Sequence, residues 1–393
     1  MTPCDTSEAA RWLMQDARTT ALPEDILEQL CERMIAGGVP LAGCGVFIQT
    51  LHPELFGRCF IWRQGFGPTV LEFPYESAES IALQRSVEAG IRPSDRIVSL
   101  DPDQADSCLS LQVFRDLRAA DVKTFVATPI VFSDGEMHLA IWTTRRPGGF
   151  TEEQKRGIEN IVGPLSRLSE VYALRRRAAV LLDTYVGRAS GQRILAGQIR
   201  RGHTEALHAA IWLSDMRGFT ELADNIAPHT LIDLLNRYFD CQVPAIARRG
   251  GEVLKFMGDG MLAVFPISES DGDAKTVCNE ALGAAYEARA RILAMERGFD
   301  GGRAGIRFGV ALHLGSVMYG NIGGERRLDF TCIGPAVNLA ARIEKLTGRL
   351  GRTILASTAF AAACEDPMVA VGEFELAGFV RPQKVFGVPD EDG

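Results

Sequence analysis

Ile211-Trp212-Leu213-Ser214-Asp215-Met216-Arg217-Gly218-Phe219-Thr220 and, one helix and one strand further on, Lys255-Phe256-Met257-Gly258-Asp259-Gly260 decide how the carboxy-terminal half of the chain is read. Each stretch sets an acidic residue at the end of an apolar run. Ile211 to Leu213 predicts a buried strand, and Gly218-Phe219-Thr220-Glu221 predicts a tight turn into a helix with Thr220 near its N-cap. In the second stretch Val253, Leu254, Phe256 and Met257 lead into Gly-Asp-Gly, and Met261, Leu262, Val264 and Phe265 lead out. That pattern predicts a two-residue β-hairpin with Asp259 at its tip. On neighbouring strands Asp215 and Asp259 would converge, and two facing carboxylates repel unless cations lie between them. Hard oxygen ligands beside a phosphate suit Mg²⁺ or Mn²⁺, with the helix after Gly218 presenting its N-terminus to the phosphate. The alternative for either residue alone is a helix cap at Asp215 and a turn residue at Asp259.

Composition narrows the choice from outside. With 393 residues the chain can build two cores, and 46% hydrophobic with 23% charged residues describes an ordinary globular protein. A net charge of −8 offers no basic excess for nucleic acid, so a small-molecule partner is expected. The nine cysteines form no CxxC pair and no zinc-type spacing, which reads as reduced thiols in the cytoplasm. No signal peptide is read at the amino terminus, and no apolar run approaches the ~18 residues of a membrane span.

A third set of motifs follows in order. Phe308-Gly309-Val310-Ala311-Leu312-His313-Leu314-Gly315-Ser316-Val317 precedes Gly320-Asn321-Ile322-Gly323-Gly324 and then Thr331-Cys332-Ile333-Gly334-Pro335-Ala336-Val337-Asn338-Leu339-Ala340-Ala341-Arg342. Together with the two opening stretches, these resemble the catalytic domain of class III nucleotidyl cyclases over roughly residues 205–388. The resemblance implies an α+β fold with a ferredoxin-like βαββαβ core. It further implies a homodimer in which each active site draws on both subunits and converts ATP to 3′,5′-cyclic AMP and pyrophosphate with two metal ions, Mg²⁺ or Mn²⁺.

Residue by residue, the resemblance implies a metal site at Asp215, Met216 and Asp259, with Gly218, Phe219 and Thr220 beside the substrate. Lys255, Thr331, Asn338 and Arg342 would come from the other subunit. Asn338 matches the residue that orients the ribose, and Arg342, one helical turn on, the one that stabilises charge at the α-phosphate. Lys255 stands four residues before Asp259, where adenylate cyclases carry Lys and guanylate cyclases Glu. A Lys donor suits the acceptor at adenine N1 and would meet the N1–H donor of guanine. Thr331, seven before Asn338, matches a Thr-containing adenylate cyclase subclass. Cys332 is one residue off that register and is read as packing, because neighbours on a strand face opposite sides. Two positions depart from the family, Pro335 where Asp is frequent, and Leu376-Ala377-Gly378 without its preceding Lys. Arg381 and Lys384 are the substitutes considered for gripping the triphosphate.

Ahead of this region, residues 1–22 read as a tail with at most a short helix over Ala9–Met14. Pro23 opens a helix that Gly37-Gly38 ends. Short apolar runs from Gly45 to Trp62 break at His52-Pro53, two more strands lie over Phe125–Ile130 and Met137–Thr143, and helical pieces are expected between. The order of elements in 23–157 resembles a GAF-like α/β sensor domain, which implies regulation by an unknown small-molecule or redox signal. His52 and His138 are read as hydrogen-bonded structural residues before ligands, and Cys44 and Cys59 as buried thiols unless exposed. Ile158, Ile161, Leu165, Leu168, Tyr172, Ala179 and Leu182 alternate spacings of three and four up to an Arg175 interruption. This seam is either a parallel dimer helix or the last sensor helix on its own core, with Pro164 as a kink. Residues 158–200 are therefore read as helical linker and hinge, and 201–393 as the catalytic domain.

Gly250-Gly251-Glu252 resembles the diguanylate cyclase signature, but it opens a strand instead of forming a hairpin tip. A catalytically silent cyclase-homology module and a guanylate cyclase are the remaining alternatives.

Overall fold

The computed structural model describes residues 4–17, 22–75, 77, 91–100, 122, 124–267, 273–297, 306–325 and 327–391. The chain divides into two compact units of mixed α/β structure, Met1–Leu181 and Leu182–Gly393.

In the first unit, strands β1 (Gly43–Gln49), β2 (Leu55–Arg63), β3 (Gly67–Pro74), β4 (Val98–Leu100), β5 (Thr124–Val131) and β6 (Met137–Thr144) form one antiparallel sheet, in the order β3-β2-β1-β6-β5-β4. Helices α1 (Ser7–Gln15), α2 (Pro23–Ala36) and α3 (Glu152–Val186) pack on one face, where Leu30, Met34, Ile158 and Ile161 meet Val46, Val126 and Trp142. The amino-terminal segment read as a tail therefore contributes to this core through Ala9 and Leu13. Trp142 is fully buried and its Nε1–H donates to Thr128 Oγ1 at 3.0 Å, so its polar edge is satisfied within the sheet. The helical pieces expected between Trp62 and Phe125 lie outside the described residues.

Helix α3 runs unbroken through Pro164. Ile158, Ile161 and Leu165 are buried in the unit's own core, and Leu168 and Tyr172 pack against it, so these positions are not available as a dimer seam. A different stripe is exposed, Val171, Leu174, Ala178, Leu181 and Tyr185, again at spacings of three and four. The displacement has a simple cause: the sheet takes the first stripe, and apolar residues recur on a second face of the same helix.

In the second unit β7 (Thr204–Met216), β8 (Glu252–Met257), β9 (Gly260–Pro266), β10 (Phe308–Gly323), β12 (Ile354–Ser357), β13 (Val369–Phe374) and β14 (Gln383–Gly387) follow the order β13-β14-β12-β10-β7-β9-β8. Strand β11 (Leu328–Ile333) pairs with the far half of β10. A connector helix α4 (Arg188–Leu195) precedes β7, and α5 (Phe219–Asn225) and α6 (Pro228–Arg248) join β7 to the β8–β9 hairpin. Helix α7 (Ala274–Arg297) then returns the chain to β10, antiparallel to β7. Helices α6 and α7 cover one face through Tyr238, Ile246, Ala281, Ala285 and Ile292 on Trp212, Phe265 and Leu312. Helix α8 (Pro335–Leu350) covers the other, with Ala336 and Ala340 on Ile211, Leu213 and Leu262.

None of the described cysteines is bonded to another; Cys44 and Cys59 are buried, and burial pushes the Cys59 thiol up to about 12. His52 Nδ1 accepts from the backbone N–H groups of Glu54 and Leu55, and buried His138 Nδ1 accepts from Gln49 N–H at 3.2 Å. No helix among the described residues is long and apolar enough to cross a membrane.

Burial lowers His138 and, in the second unit, His313 to about 4 from the ordinary 6.5. Both are neutral in the fold, while the unfolded chain takes up protons below 6.5. Their contribution to stability is thus complete above about pH 6.5 and is lost as pH falls toward 4, at most about 3 kcal/mol for each. Urea unfolding between pH 7 and 4.5 should show a shallower loss in His138→Gln and His313→Gln than in the parent. An unchanged slope in both variants would refute the assignment.

Candidate active site

Asp215 sits one residue from the end of β7, opposite Gly309 of β10. Its side chain lies on the α8 face, because it shares parity with Ile211 and Leu213. Ser214, pointing the other way, donates its hydroxyl to Gln242 Oε1 of α6 at 2.7 Å, with both residues fully buried. Asp259 is the second residue of the two-residue turn closed by Met257↔Gly260, as the sequence predicts. Since Met261 pairs with Ser214, the hairpin tip lies beside the end of β7.

The two carboxylates converge. Asp215 is raised to about 6, chiefly by burial and then by the charge and hydrogen bond of Asp259, against the N–H of Met216 and the charge of Lys345. A half-buried carboxyl pressed toward protonation by a second one is a donor set that a divalent cation would relieve. Among the described residues no group of three or more His, Cys, Asp or Glu forms a denser metal-type cluster.

The helix entry lies where the sequence predicts it, with Thr220 near the N-cap. The N-cap of α5 is Gly218, at φ +70°, and Thr220 is the second helical residue. A left-handed backbone at this turn favours glycine, whereas threonine caps from an extended conformation. No side chain caps this seven-residue helix.

A cavity of about 650 Å³ opens on the α8 face, lined by Asp215, Lys255, Cys332, Val337, Asn338, Glu344 and Lys345 among others. Asp259, Thr331 and Arg342 are not among its lining residues. Lys255 is near Cys332, whose thiol is raised to about 11 by burial and held back by the lysine's charge. Thr331 lies on the opposite side of β11 from Cys332, paired with Gly320, and its Oγ1 is buried with no hydrogen-bond partner. An orphaned buried hydroxyl of this kind is costly unless something supplies a partner.

Helix α8 carries Asn338 and Arg342 one turn apart. Pro335 occupies its first position, where a missing N–H costs nothing, so the departure from the family is accommodated locally. Lys384 lies on β14, three strands from β7, roughly 14 Å at ordinary strand spacing.

Glu344 and Lys345 were not singled out from sequence, although Asn338, Ala341 and Lys345 share one helical face at i, i+3 and i+7. Glu344 is raised to about 7 by burial and then by Asp215, with Arg217 opposing. Arg217 also bonds the Arg352 carbonyl at 2.7 Å, tying the end of β7 to the loop after α8.

Helix α8 is seated closely. A Cβ at Gly309 would lie 2.0 Å from Thr347 Oγ1 and 2.8 Å from Thr347 Cβ. Gly309→Ala should therefore lift α8 and cost about 1–3 kcal/mol, read as a lower urea midpoint. Unaltered stability would mean that the seat is loose.

Residues 203–385 match the family model for the adenylate and guanylate cyclase catalytic domain. An adenylate cyclase of Anabaena cylindrica is 35% identical over 162 residues, 40% of this chain and 31% of that protein. An uncharacterized protein of Mycobacterium tuberculosis is 30% identical over 328 residues, 83% of this chain and 56% of that protein. That alignment is longer than Leu182–Gly393, so the likeness reaches into the first unit. The crystal structure of the adenylyl cyclase CyaB from P. aeruginosa is 26% identical, covering 47% of this chain and 95% of that one, with a TM-score of 0.41. The chain spans less than a third of the Anabaena protein.

Proposed function

We propose that the protein is an adenylate cyclase, on the premise that residues 203–385 match the adenylate and guanylate cyclase catalytic domain family. It converts ATP to 3′,5′-cyclic AMP and pyrophosphate as a homodimer, under control of its first unit. The observation that carries this reading is the convergence of Asp215 and Asp259 at the end of β7 and the tip of the β8–β9 hairpin. Lys255 and Asn338 line a cavity of the same chain and would be offered to the metal site of the partner subunit.

Asp215 and Asp259 are the residues that would hold Mg²⁺ or Mn²⁺, with the Met216 backbone beside them. When bound, the ions would acidify the ribose 3′-OH and neutralise charge on the triphosphate. The chain's own groups do the rest. Lys255 donates to adenine N1. The acceptor role that the sequence suggests for Thr331 is not matched within the chain, where its buried hydroxyl faces away from Lys255 and Cys332 is the β11 residue that lines the cavity. Asn338 orients the ribose so that its 3′-oxygen faces the α-phosphate, and Arg342 stabilises the charge that builds there. The Gly218-Phe219-Thr220 turn follows Asp215 closely in the chain, and its backbone N–H groups would contribute to phosphate binding.

Dimerisation is supported by the exposed stripe Val171, Leu174, Ala178, Leu181 and Tyr185 on α3, a heptad seam whose natural partner is the same helix of a second copy. The antiparallel sheet with three helices on one face supports the GAF-like regulatory reading of the first unit.

Purified protein given ATP and, separately, GTP with Mg²⁺ or Mn²⁺ should form cyclic AMP in preference to cyclic GMP. Asp215→Ala and Asp259→Ala should each lower this at least ~100-fold while the melting curve keeps its cooperativity; undiminished turnover in either variant overturns the metal assignment. Arg342→Ala should depress kcat by roughly 100-fold with little change in KM, because its contact strengthens in the transition state. A change confined to KM would make Arg342 a ground-state binding residue.

A further inference from the structure

Glu252 opens β8 and takes no part in the chemistry above, yet its carboxylate is one of the most completely engaged in the second unit. Oε1 accepts from the backbone N–H and the hydroxyl of Ser190, both at 3.1 Å, and Oε2 accepts from the hydroxyl of Tyr319 at 3.0 Å. Ser190 and Tyr319 are 0% and 2% exposed and Glu252 is half-buried, so these bonds are partly shielded from water. Three elements meet at this one side chain. Ser190 belongs to the connector helix α4, Glu252 to β8, and Tyr319 to β10 directly opposite Cys332 of β11.

Strands β8 and β11 are not ladder partners; β8 is the last strand of the sheet and β11 branches from β10. Nothing in the backbone ladder therefore fixes the gap between Lys255 on one and Thr331-Cys332 on the other. The Glu252–Tyr319 bond ties β8, three residues before Lys255, to the β10 residue paired with Cys332 of β11, and so bears on that gap through β10. A register shift makes this possible: Val253 pairs with Ala263 and Lys255 with Leu262, leaving Leu254 as the extra residue of a bulge. In a regular strand Glu252 and Lys255 would face opposite sides. Here both face the α8 side, with Leu254 in the core beside Tyr319, Phe330 and Cys332. The connector is held further by the Arg193 guanidinium, 4.9 Å above the Tyr319 ring, and by Asn321 Nδ2 donating to the Gln198 carbonyl at 2.7 Å.

We propose that the Ser190–Glu252–Tyr319 clamp positions Lys255 against the Thr331-Cys332 strand and so sets nucleobase selection, and that the connector helix, by supplying Ser190, has a direct hold on that selection. This rests on the reading of Lys255 as a base-contacting residue. Glu252 is a positioning residue in this scheme: it acts through Lys255.

The test uses the full-length protein, with kcat and KM for ATP and for GTP measured in Glu252→Gln, Ser190→Ala, Tyr319→Phe, Lys255→Ala and the double variant E252Q/K255A. The Gln amide turns a donor toward a hydroxyl or N–H donor, so E252Q should raise KM for ATP roughly 10-fold, disturb GTP less and shrink the ATP/GTP preference. Ser190→Ala and Tyr319→Phe each remove one donor and should shift the preference in the same direction by a smaller factor. They carry the test if E252Q does not fold. In the K255A background E252Q should change the preference by less than about 2-fold, as expected when both act through one contact. An altered preference in K255A with none in E252Q, Ser190→Ala or Tyr319→Phe overturns the clamp and leaves the base reading standing. An unaltered preference in K255A overturns the base reading and the clamp with it. An equal fall in kcat for both nucleotides in E252Q, with KM unchanged, makes Glu252 a purely structural anchor and also overturns the proposal.

Discussion

The pairing of β7 with β10, continuous from Phe308↔Met216 to Gly320↔Thr204, is the constraint on which the second unit depends. Its first half sets Gly309 opposite Asp215 and lets α8 descend close enough to bring Asn338 and Glu344 to the same cavity. Its second half extends past the other strands and gives β11 an edge to pair with. A break anywhere along that ladder would separate the acidic end of β7 from the helix that faces it, even with every side chain intact.

The electrostatics follow from this packing. Asp215 is approached by Asp259 from the hairpin and by Glu344 from α8 because strand and helix positions bring them there, and burial adds to the cost of its charge. Lys345, Arg217 and Lys255 stand around them, on α8, at the end of β7 and on β8. The cavity therefore sets raised carboxyls beside fixed cationic side chains.

Much of this was legible in the residues because it is local. The apolar run ending at Asp215, the Gly-Asp turn and the spacing of Asn338 to Arg342 each depend on a few consecutive positions, and the strands and helix formed where those patterns lie. What escaped is what tertiary contact decides. Two stripes on α3 have heptad spacing, and only the sheet determines that Ile158, Ile161 and Leu165 are covered while Val171, Leu174 and Leu181 are left bare. Glu252 read as part of a Gly-Gly-Glu signature from another family, and its partners Ser190 and Tyr319 are 62 and 67 residues away in sequence.

The bulge at Leu254 also bears on how related chains are to be aligned. Counting back from Asp259, Lys255 keeps its place whether or not the extra residue is present, because the hairpin end sets its partner as Leu262. Counting on to Glu252 does not have that protection. A chain lacking the counterpart of Leu254 would keep Glu252's pairing with Val264 and carry the same carboxylate two positions before the lysine instead of three. An ungapped comparison would then place an apolar residue where the acid belongs, and a shared clamp would pass for a lost one.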